Sequence, residues 1–273
     1  MERNVLLTIA YDGTDFSGWQ RQPGSRTVQG ELEQALSVIC AQPVQIDGTS
    51  RTDAGVHALG QRATLRGSFA IPAERIPYAV NGLLAGSGPY GIGPIRVLAA
   101  QEMPEGFHAR FDAVGKTYRY CLRTGPAPDL FERNRAYFLE RPLNVSAMEE
   151  AARSLIGTCD FKSFQAAGGN PVPDTVRTIT GCTWDERPDG SGGQQITFEV
   201  TGTGFLYHMV RNIVGTLVEI GQGKRPPEEM QTILAAQDRT KAGHTAPPQG
   251  LFLKQIYYSR EEMENASCKT SLY

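Results

Sequence analysis

Apolar and β-branched residues run from Asn4 to Tyr11 and stop at Asp12-Gly13-Thr14, which predicts an opening strand closed by a turn. From Val28 to Ala41 the spacing changes: Val28, Leu32, Ala35, Leu36 and Ile39 recur at helical intervals, and Thr27 is placed to cap the N-terminus. Strands are expected at Gln42 to Thr49 and at Gly60 to Gly67, which leaves 50–58 as the loop between them. Loops held by a rigid frame are where chemistry concentrates. A helix near Pro72 to Leu84 leads to a glycine-rich connection over 86–94, read as a flexible loop, and then to a strand from Ile95 to Ala99.

In the second half, Lys116 to Arg123 has period two, with Tyr118, Tyr120 and Leu122 on one face and Thr117, Arg119, Cys121 and Arg123 on the other. By that period Tyr120 is the expected packing partner of Tyr118. A helix is expected from Ser146 to Ile156, strands near Thr175 to Trp184 and Gln194 to Thr201, and a strongly apolar helix from Tyr207 to Ile220. A further helix begins at Pro226-Pro227, and the last strand is Leu251 to Tyr258. Strand, helix and strand follow one another in both halves, pointing to a duplicated α+β unit. The expected division is an N-terminal half over 1–106, a C-terminal half over 107–259, and a polar, flexible tail over 260–273.

The chain's 273 residues, 40% hydrophobic and 21% charged, are enough for a sizeable core, and the composition is that of a soluble globular protein. No apolar run approaches the ~20 residues that cross a bilayer. The opening Met1-Glu2-Arg3-Asn4 shows no secretory pattern, so a cytoplasmic protein without a membrane partner is expected. The five cysteines are dispersed with no Cys-x-x-Cys pair, and the four histidines are equally scattered, so neither a disulfide framework nor a metal site is expected.

A net charge of −2 argues at face value against a polyanionic partner. Distribution changes that picture: 51–66, 107–124 and 203–225 each carry more Lys and Arg than Asp and Glu. The Gly-x-Gly inside 86–94 lacks the third glycine and the following helix of a dinucleotide site.

The candidate chemistry sits in Thr49-Ser50-Arg51-Thr52-Asp53-Ala54-Gly55-Val56-His57-Ala58. By residue type alone Asp53 belongs to a turn, since Asp and Gly favour turns for local reasons. His57 invites a dyad with Asp53, although a structural role in the loop is the better reading. As a whole, Arg51 to Ala58 closely resembles the signature of the tRNA pseudouridine synthase family, in the branch that acts on the anticodon arm. Further matches follow in order: Gly18-Trp19-Gln20-Arg21-Gln22, Phe107-His108-Ala109-Arg110-Phe111, Lys116-Thr117-Tyr118-Arg119-Tyr120, His208-Met209-Val210-Arg211-Asn212-Ile213-Val214-Gly215, and Gly250-Leu251-Phe252-Leu253. Two departures stand out: Ser50 replaces a common glycine, and the 86–94 loop is longer than usual.

The resemblance implies an isomerase that converts uridine to pseudouridine in the anticodon stem-loop, at tRNA positions 38 to 40. It implies an α+β pseudouridine synthase fold, with two ferredoxin-like or RRM-like halves sharing a mainly antiparallel sheet and a catalytic cleft between them. It places the catalytic carboxylate at Asp53, with Tyr118, Arg51, Arg211 and Leu251 binding substrate. A carboxylate enclosed with a base is driven toward its protonated form by desolvation, and a neighbouring guanidinium opposes this; Arg211 is the candidate for that ion pair. Tyr118 offers a ring to stack on uracil and a hydroxyl near the C5 proton, Arg51 a contact to RNA, and Leu251 an apolar wall. The plain readings are a boundary arginine, a packing tyrosine, a solvated loop arginine and a core leucine. No cofactor is implied; the implied partners are tRNA and a second copy of the chain. Two alternatives remain open: an RNA-binding module of the same fold without catalysis, and a hydrolase built on Asp53 and His57.

Overall fold

The computed structural model describes residues 2–85, 91–169, 171–190 and 192–267. Two compact units emerge: Met1–Ala113 with Phe252–Tyr258, and Val114–Leu251 with the segment from Ser259 onward. Both are mixed α/β, and most strand pairs are antiparallel.

The first unit runs β1 (Arg3–Tyr11), α1 (Val28–Cys40), β2 (Ile46–Gly48), β3 (His57–Gly67), α2 (Ile76–Leu84) and β4 (Ile95–Glu102). Strand β1 lies between β3 and β4, antiparallel to both. The other edge of β3 is shared. Strand β2 pairs with it antiparallel at Ala63 to Leu65, and the last strand, β10 (Leu251–Tyr257), pairs with it in parallel through Phe252 and Leu253 opposite His57 and Ala58. Val5, Leu7 and Ile9 of β1, Leu65 of β3, Leu32 and Leu36 of α1, and Ile76 and Val80 of α2 are fully buried and make the core. The Thr27 hydroxyl caps α1 by accepting the Gly30 N–H at 3.3 Å, as its position in sequence predicts.

Strands β4 and β8 (Val176–Pro188) run on past their expected ends, to Glu102 and Pro188, and two other strand boundaries differ from the sequence expectation for identifiable reasons. The Gln42 and Val44 N–H groups are spent on the carbonyl and hydroxyl of Ser37 at the end of α1, and Pro43 between them has no N–H, so β2 starts only at Ile46. Strand β3 begins at His57, three residues early, because β10 supplies it with a partner that no local pattern announces.

The second unit runs β5 (Gly115–Thr124), β6 (Tyr137–Leu139), α3 (Val145–Arg153), β7 (Gly157–Asp160), β8 (Val176–Pro188), β9 (Gln194–Gly202), α4 (Met209–Gly221), α5 (Glu229–Ala236) and, after β10, α6 (Arg260–Ser267). Its strands lie in the order β5-β9-β8-β7, with β6 parallel on β5. Helix α4 is apolar on nearly every side: Met209, Ile213, Val214, Leu217 and Val218 are all buried.

The expected division at 106/107 differs from the compact units, since 107–113 and the residues 252–258 belong with the first. Part of the expected polar tail is helical, and Met263 of α6 is buried with its sulfur against Gly115. Residues 86–90 of the glycine-rich loop and 268–273 of the tail, Cys268 among them, lie outside the described residues.

Candidate functional site

The loop between β2 and β3 is clamped along its backbone. At its entrance the Thr49 N–H donates to the Arg62 carbonyl at 2.9 Å, and the Thr49 hydroxyl donates to the Ala109 carbonyl at 3.0 Å. Ser50 is held by a buried carboxamide: Gln61 donates from Nε2 to its carbonyl at 2.5 Å and accepts its N–H at 3.4 Å. The Thr52 carbonyl accepts the Trp19 N–H at 3.0 Å, and the Thr52 hydroxyl lies 2.7 Å from the Tyr11 hydroxyl. A turn follows, in which the Asp53 carbonyl accepts the Val56 N–H at 3.1 Å and Gly55 takes a left-handed φ of 76°. Asp53 is thus a half-buried side chain carried on backbone fixed at both ends.

The turn reading and the motif reading of Asp53 are therefore compatible. A turn carries the carboxylate, and the surrounding clamps hold the turn.

His57 is 2% exposed and stacks on Phe252, centroid to centroid at 4.6 Å. Its Nδ1 lies 3.1 Å from the Gly13 N–H and 3.3 Å from Oδ1 of Asp12. The two contacts call for different protonation at that nitrogen: an unprotonated Nδ1 accepts from Gly13, a protonated one donates to Asp12. Hydrogen bonding with His57, opposed by burial and reinforced by Thr14, holds the Asp12 carboxyl below the usual carboxylate range. Either contact ties the imidazole to the 12–14 turn, in keeping with a structural role.

Arg51, in the same loop, is exposed, and its Nε donates to Oε1 of Gln20 at 3.0 Å.

The other three predicted site residues lie in the second unit. Tyr118 on β5 is buried opposite Val200 of β9, and the ring standing edge-on to it, at 5.2 Å and 87°, is Phe205. Tyr120 instead turns to the segment before β10. Its hydroxyl donates to the Pro247 carbonyl at 2.7 Å, and Gly250 lies so near its ring that a Cβ there would come within 2.6 Å of it. Burial pushes the Tyr120 phenol well above its ordinary range, against the opposite pull of Arg211.

Arg211 leaves the first turn of α4 and is held from two sides. Its Nε donates to the Ala246 carbonyl at 2.7 Å, and one terminal nitrogen lies 3.2 Å from Nε2 of His208. The Ala246 N–H returns to the Arg211 carbonyl at 3.0 Å. The strap from Ala246 to Gly250 thus joins Arg211, Tyr120 and Leu251, the last buried at the start of β10. Sequence reasoning missed this strap; the Pro247-Pro248-Gln249-Gly250 run just before the matched Gly250-Leu251 was its signal. Tyr11, Trp19 and Gln61, which clamp the Asp53 loop, were likewise not singled out for that role.

Among the described residues, no group of three or more His, Cys, Asp or Glu is placed to hold a metal ion, and no helix is long and apolar enough to cross a membrane. Cys40, Cys121, Cys159 and Cys182 are free thiols.

The family described as tRNA pseudouridine synthase matches this chain over residues 7–112 and 151–259. The tRNA pseudouridine synthase A of Bacillus subtilis (strain 168) is 48% identical over 256 residues, covering 93% of this chain and 98% of its own. Its counterpart in Ruminiclostridium cellulolyticum is 45% identical over 256 residues, covering 94% of this chain and 100% of its own. That of Brevibacillus brevis is also 45% identical, again covering 94% and 100%.

Proposed function

The chain belongs to the tRNA pseudouridine synthase family, isomerases of uridine in tRNA, and from that premise we propose that Asp53 is its catalytic carboxylate and the anticodon stem-loop its target, at positions 38 to 40. The observation that carries the assignment is the clamped β2–β3 loop, which presents one half-buried carboxylate on a segment whose backbone is held by Trp19 and Gln61 and whose Thr52 hydroxyl is held by Tyr11. Placing a reactive group on rigid backbone removes the entropy of finding its geometry.

In the reaction the N1–C1′ glycosidic bond breaks, the uracil turns, and a C5–C1′ bond forms. C5 then loses its proton to solvent, and N1 gains one. The sequence is redox-neutral and consumes no nucleotide. Asp53 starts it either as a nucleophile at the sugar or by assisting elimination from it.

The supporting parts have distinct tasks. Arg211, fixed by the Ala246 carbonyl and His208, supplies the cation that favours an ionised carboxylate. Tyr118, braced by Phe205, presents a ring to the extruded uracil and a hydroxyl for the C5 proton. Leu251 closes the apolar side, and Arg51, exposed at the loop's edge, meets the RNA where the base leaves its stack. Extrusion costs a few kcal/mol, which contacts along the RNA offset.

The same reading makes the two units ferredoxin-like halves. Supporting it is the β1-α1-β2-β3-α2-β4 sequence of the first unit, with sheet neighbours β4-β1-β3-β2. A cytoplasmic homodimer holding tRNA is part of the proposal, and sedimentation of the purified chain tests its oligomeric half.

Tritium at uracil C5 of unmodified tRNA provides the test of function. Wild type is expected to release label to water, and Asp53→Asn and Asp53→Ala to release none above background. Full release by Asp53→Ala would remove Asp53 from the mechanism while leaving the activity. Binding of tRNA without release by wild type would make the chain a binding module.

A further inference from the structure

The segment Gly18-Trp19-Gln20-Arg21-Gln22 matches the family, yet the reaction above gives Gln20 no task. We propose that Gln20 is a positioning residue for Arg51, the last link of a hydrogen-bond relay that starts at a buried carboxylate in α1 and ends on the guanidinium. The inference rests on the reading of Arg51 as an RNA-contacting residue.

The relay begins at Glu33, 4% exposed, whose Oε1 accepts the Ile46 N–H at 3.1 Å and the Gln29 carboxamide at 3.0 Å. Its Oε2 lies 3.1 Å from the Arg21 guanidinium. Gln29, 8% exposed, donates its Nε2 hydrogens to Glu33 and to the Ile46 carbonyl, so both of its donors are used. Its Oε1 must therefore point the other way, where it accepts Nε2 of Gln20 at 2.8 Å and the Arg21 N–H at 3.0 Å. That leaves Oε1 of Gln20 for Nε of Arg51, at 3.0 Å.

The direction of every link follows from the two ends. A carboxylate only accepts and a guanidinium only donates, so neither amide between them can flip without setting donor against donor or acceptor against acceptor. Burial makes such a mismatch costly.

The backbone beneath the relay is fixed independently. The first N–H groups of α1 have no partner inside the helix, and here Val28 and Gln29 donate to the carbonyls of Gly18 and Trp19 at 3.2 and 3.0 Å. Gln20 thus sits on a segment docked to the start of α1. Arg51, otherwise a long side chain on an exposed loop, receives a preferred direction before RNA arrives, which spares part of the ordering cost of binding.

A double-mutant cycle on kcat/KM for tritium release tests the link, using Gln20→Met, which keeps length and loses the amide, Gln20→Glu, which keeps an acceptor toward Arg51, and Arg51→Ala. Gln20→Met is expected to lower kcat/KM about tenfold, and Arg51→Ala at least as much, with the double variant no worse than Arg51→Ala alone. Gln20→Glu keeps the acceptor toward Arg51 but sets its second oxygen against Oε1 of Gln29, so it is expected to recover only part of the loss. Effects that multiply, or a Gln20→Met enzyme within about twofold of wild type beside a crippled Arg51→Ala, would overturn the relay and leave the role of Arg51 standing. An unaffected Arg51→Ala would sink the reading of Arg51, and the relay's purpose with it. Matching thermal midpoints separate these results from misfolding, and a merely structural Gln20 would not show dependence on Arg51.

Discussion

Trp19 donates its backbone N–H to the Thr52 carbonyl at 3.0 Å while its buried indole fills the space beside Gly48, so one residue braces the loop of Asp53 at two points. The residue before it must let the chain pass close. Gly18 has a φ of 92°, and a Cβ there would come within 2.7 Å of the Thr52 carbonyl oxygen.

Gly18→Ala therefore meets both backbone strain and a collision with main chain that cannot swing away. The expected cost is about 1–3 kcal/mol of stability, with kcat falling because the displaced neighbour is the peptide before Asp53. Thermal unfolding and tritium release on the same preparation check this, and an unchanged melting curve would contradict the close approach.

His57 should behave as a structural group. In His57→Phe the 12–14 turn loses its buried partner, the acceptor for the Gly13 N–H or the donor to Asp12, which costs about 1–3 kcal/mol. Well below the melting temperature, kcat is expected to fall by less than about tenfold, short of the loss typical when a general base is removed. A collapse of kcat in a fully folded variant would instead place the imidazole in the chemistry.

Asp12 carries a pH dependence of stability. Its carboxyl is held below the usual range chiefly by the hydrogen bond with His57, then by those from Thr14, with burial opposing. A lowered folded-state value means that the stabilisation is fully present above the unfolded-state value, ~3.9 for Asp, and is lost as pH falls through the folded-state one. The side chain is partly open to solvent, so screening makes the effect modest. Urea midpoints of wild type and Asp12→Asn should differ at pH 7 and converge as the buffer is acidified below pH 4; a constant gap would contradict the linkage.

The strap before β10 supports a fourth expectation. Tyr120→Phe removes the donor to the Pro247 carbonyl and should cost ~1 kcal/mol. Because the adjacent Ala246 carbonyl holds Nε of Arg211, kcat should fall more than KM rises. A KM effect alone would detach the strap from Arg211.

What could be read from sequence was local. The capped amphipathic α1, the period-two strand β5 and the Asp53 loop announce themselves through spacing and punctuation within a few residues. Strands β6 and β7 do not, because each is short and exists by pairing with a partner well removed in sequence, Tyr137 with Leu122 and Cys159 with Arg177. Helix α4 starts two residues late because His208 takes a left-handed φ of 58°. Period put Tyr118 and Tyr120 on one face, and both are buried, but the ring standing edge-on to Tyr118 is not the expected Tyr120 but Phe205, which comes from beyond β9.

At the site, the motifs singled out Asp53 and Arg51 but hid the relay behind Arg51. Gln29 and Glu33, one helical turn apart, look like a solvated stripe, and only the Ile46 backbone and Arg21 closing over them turn that stripe inward.

Strand β10 carries a consequence for how the protein is made. Phe252 stacks on His57 and pairs with it across the sheet, and the Tyr258 hydroxyl donates to the Ala109 carbonyl and touches Thr49 at the mouth of the Asp53 loop. The unit that holds the Asp53 loop therefore lacks a strand until residues 252–258 have been translated, although domains ordinarily fold in the order in which they emerge. A chain cut short before Phe252 would fail in its N-terminal half, where Asp53 lies, as well as at the point of truncation.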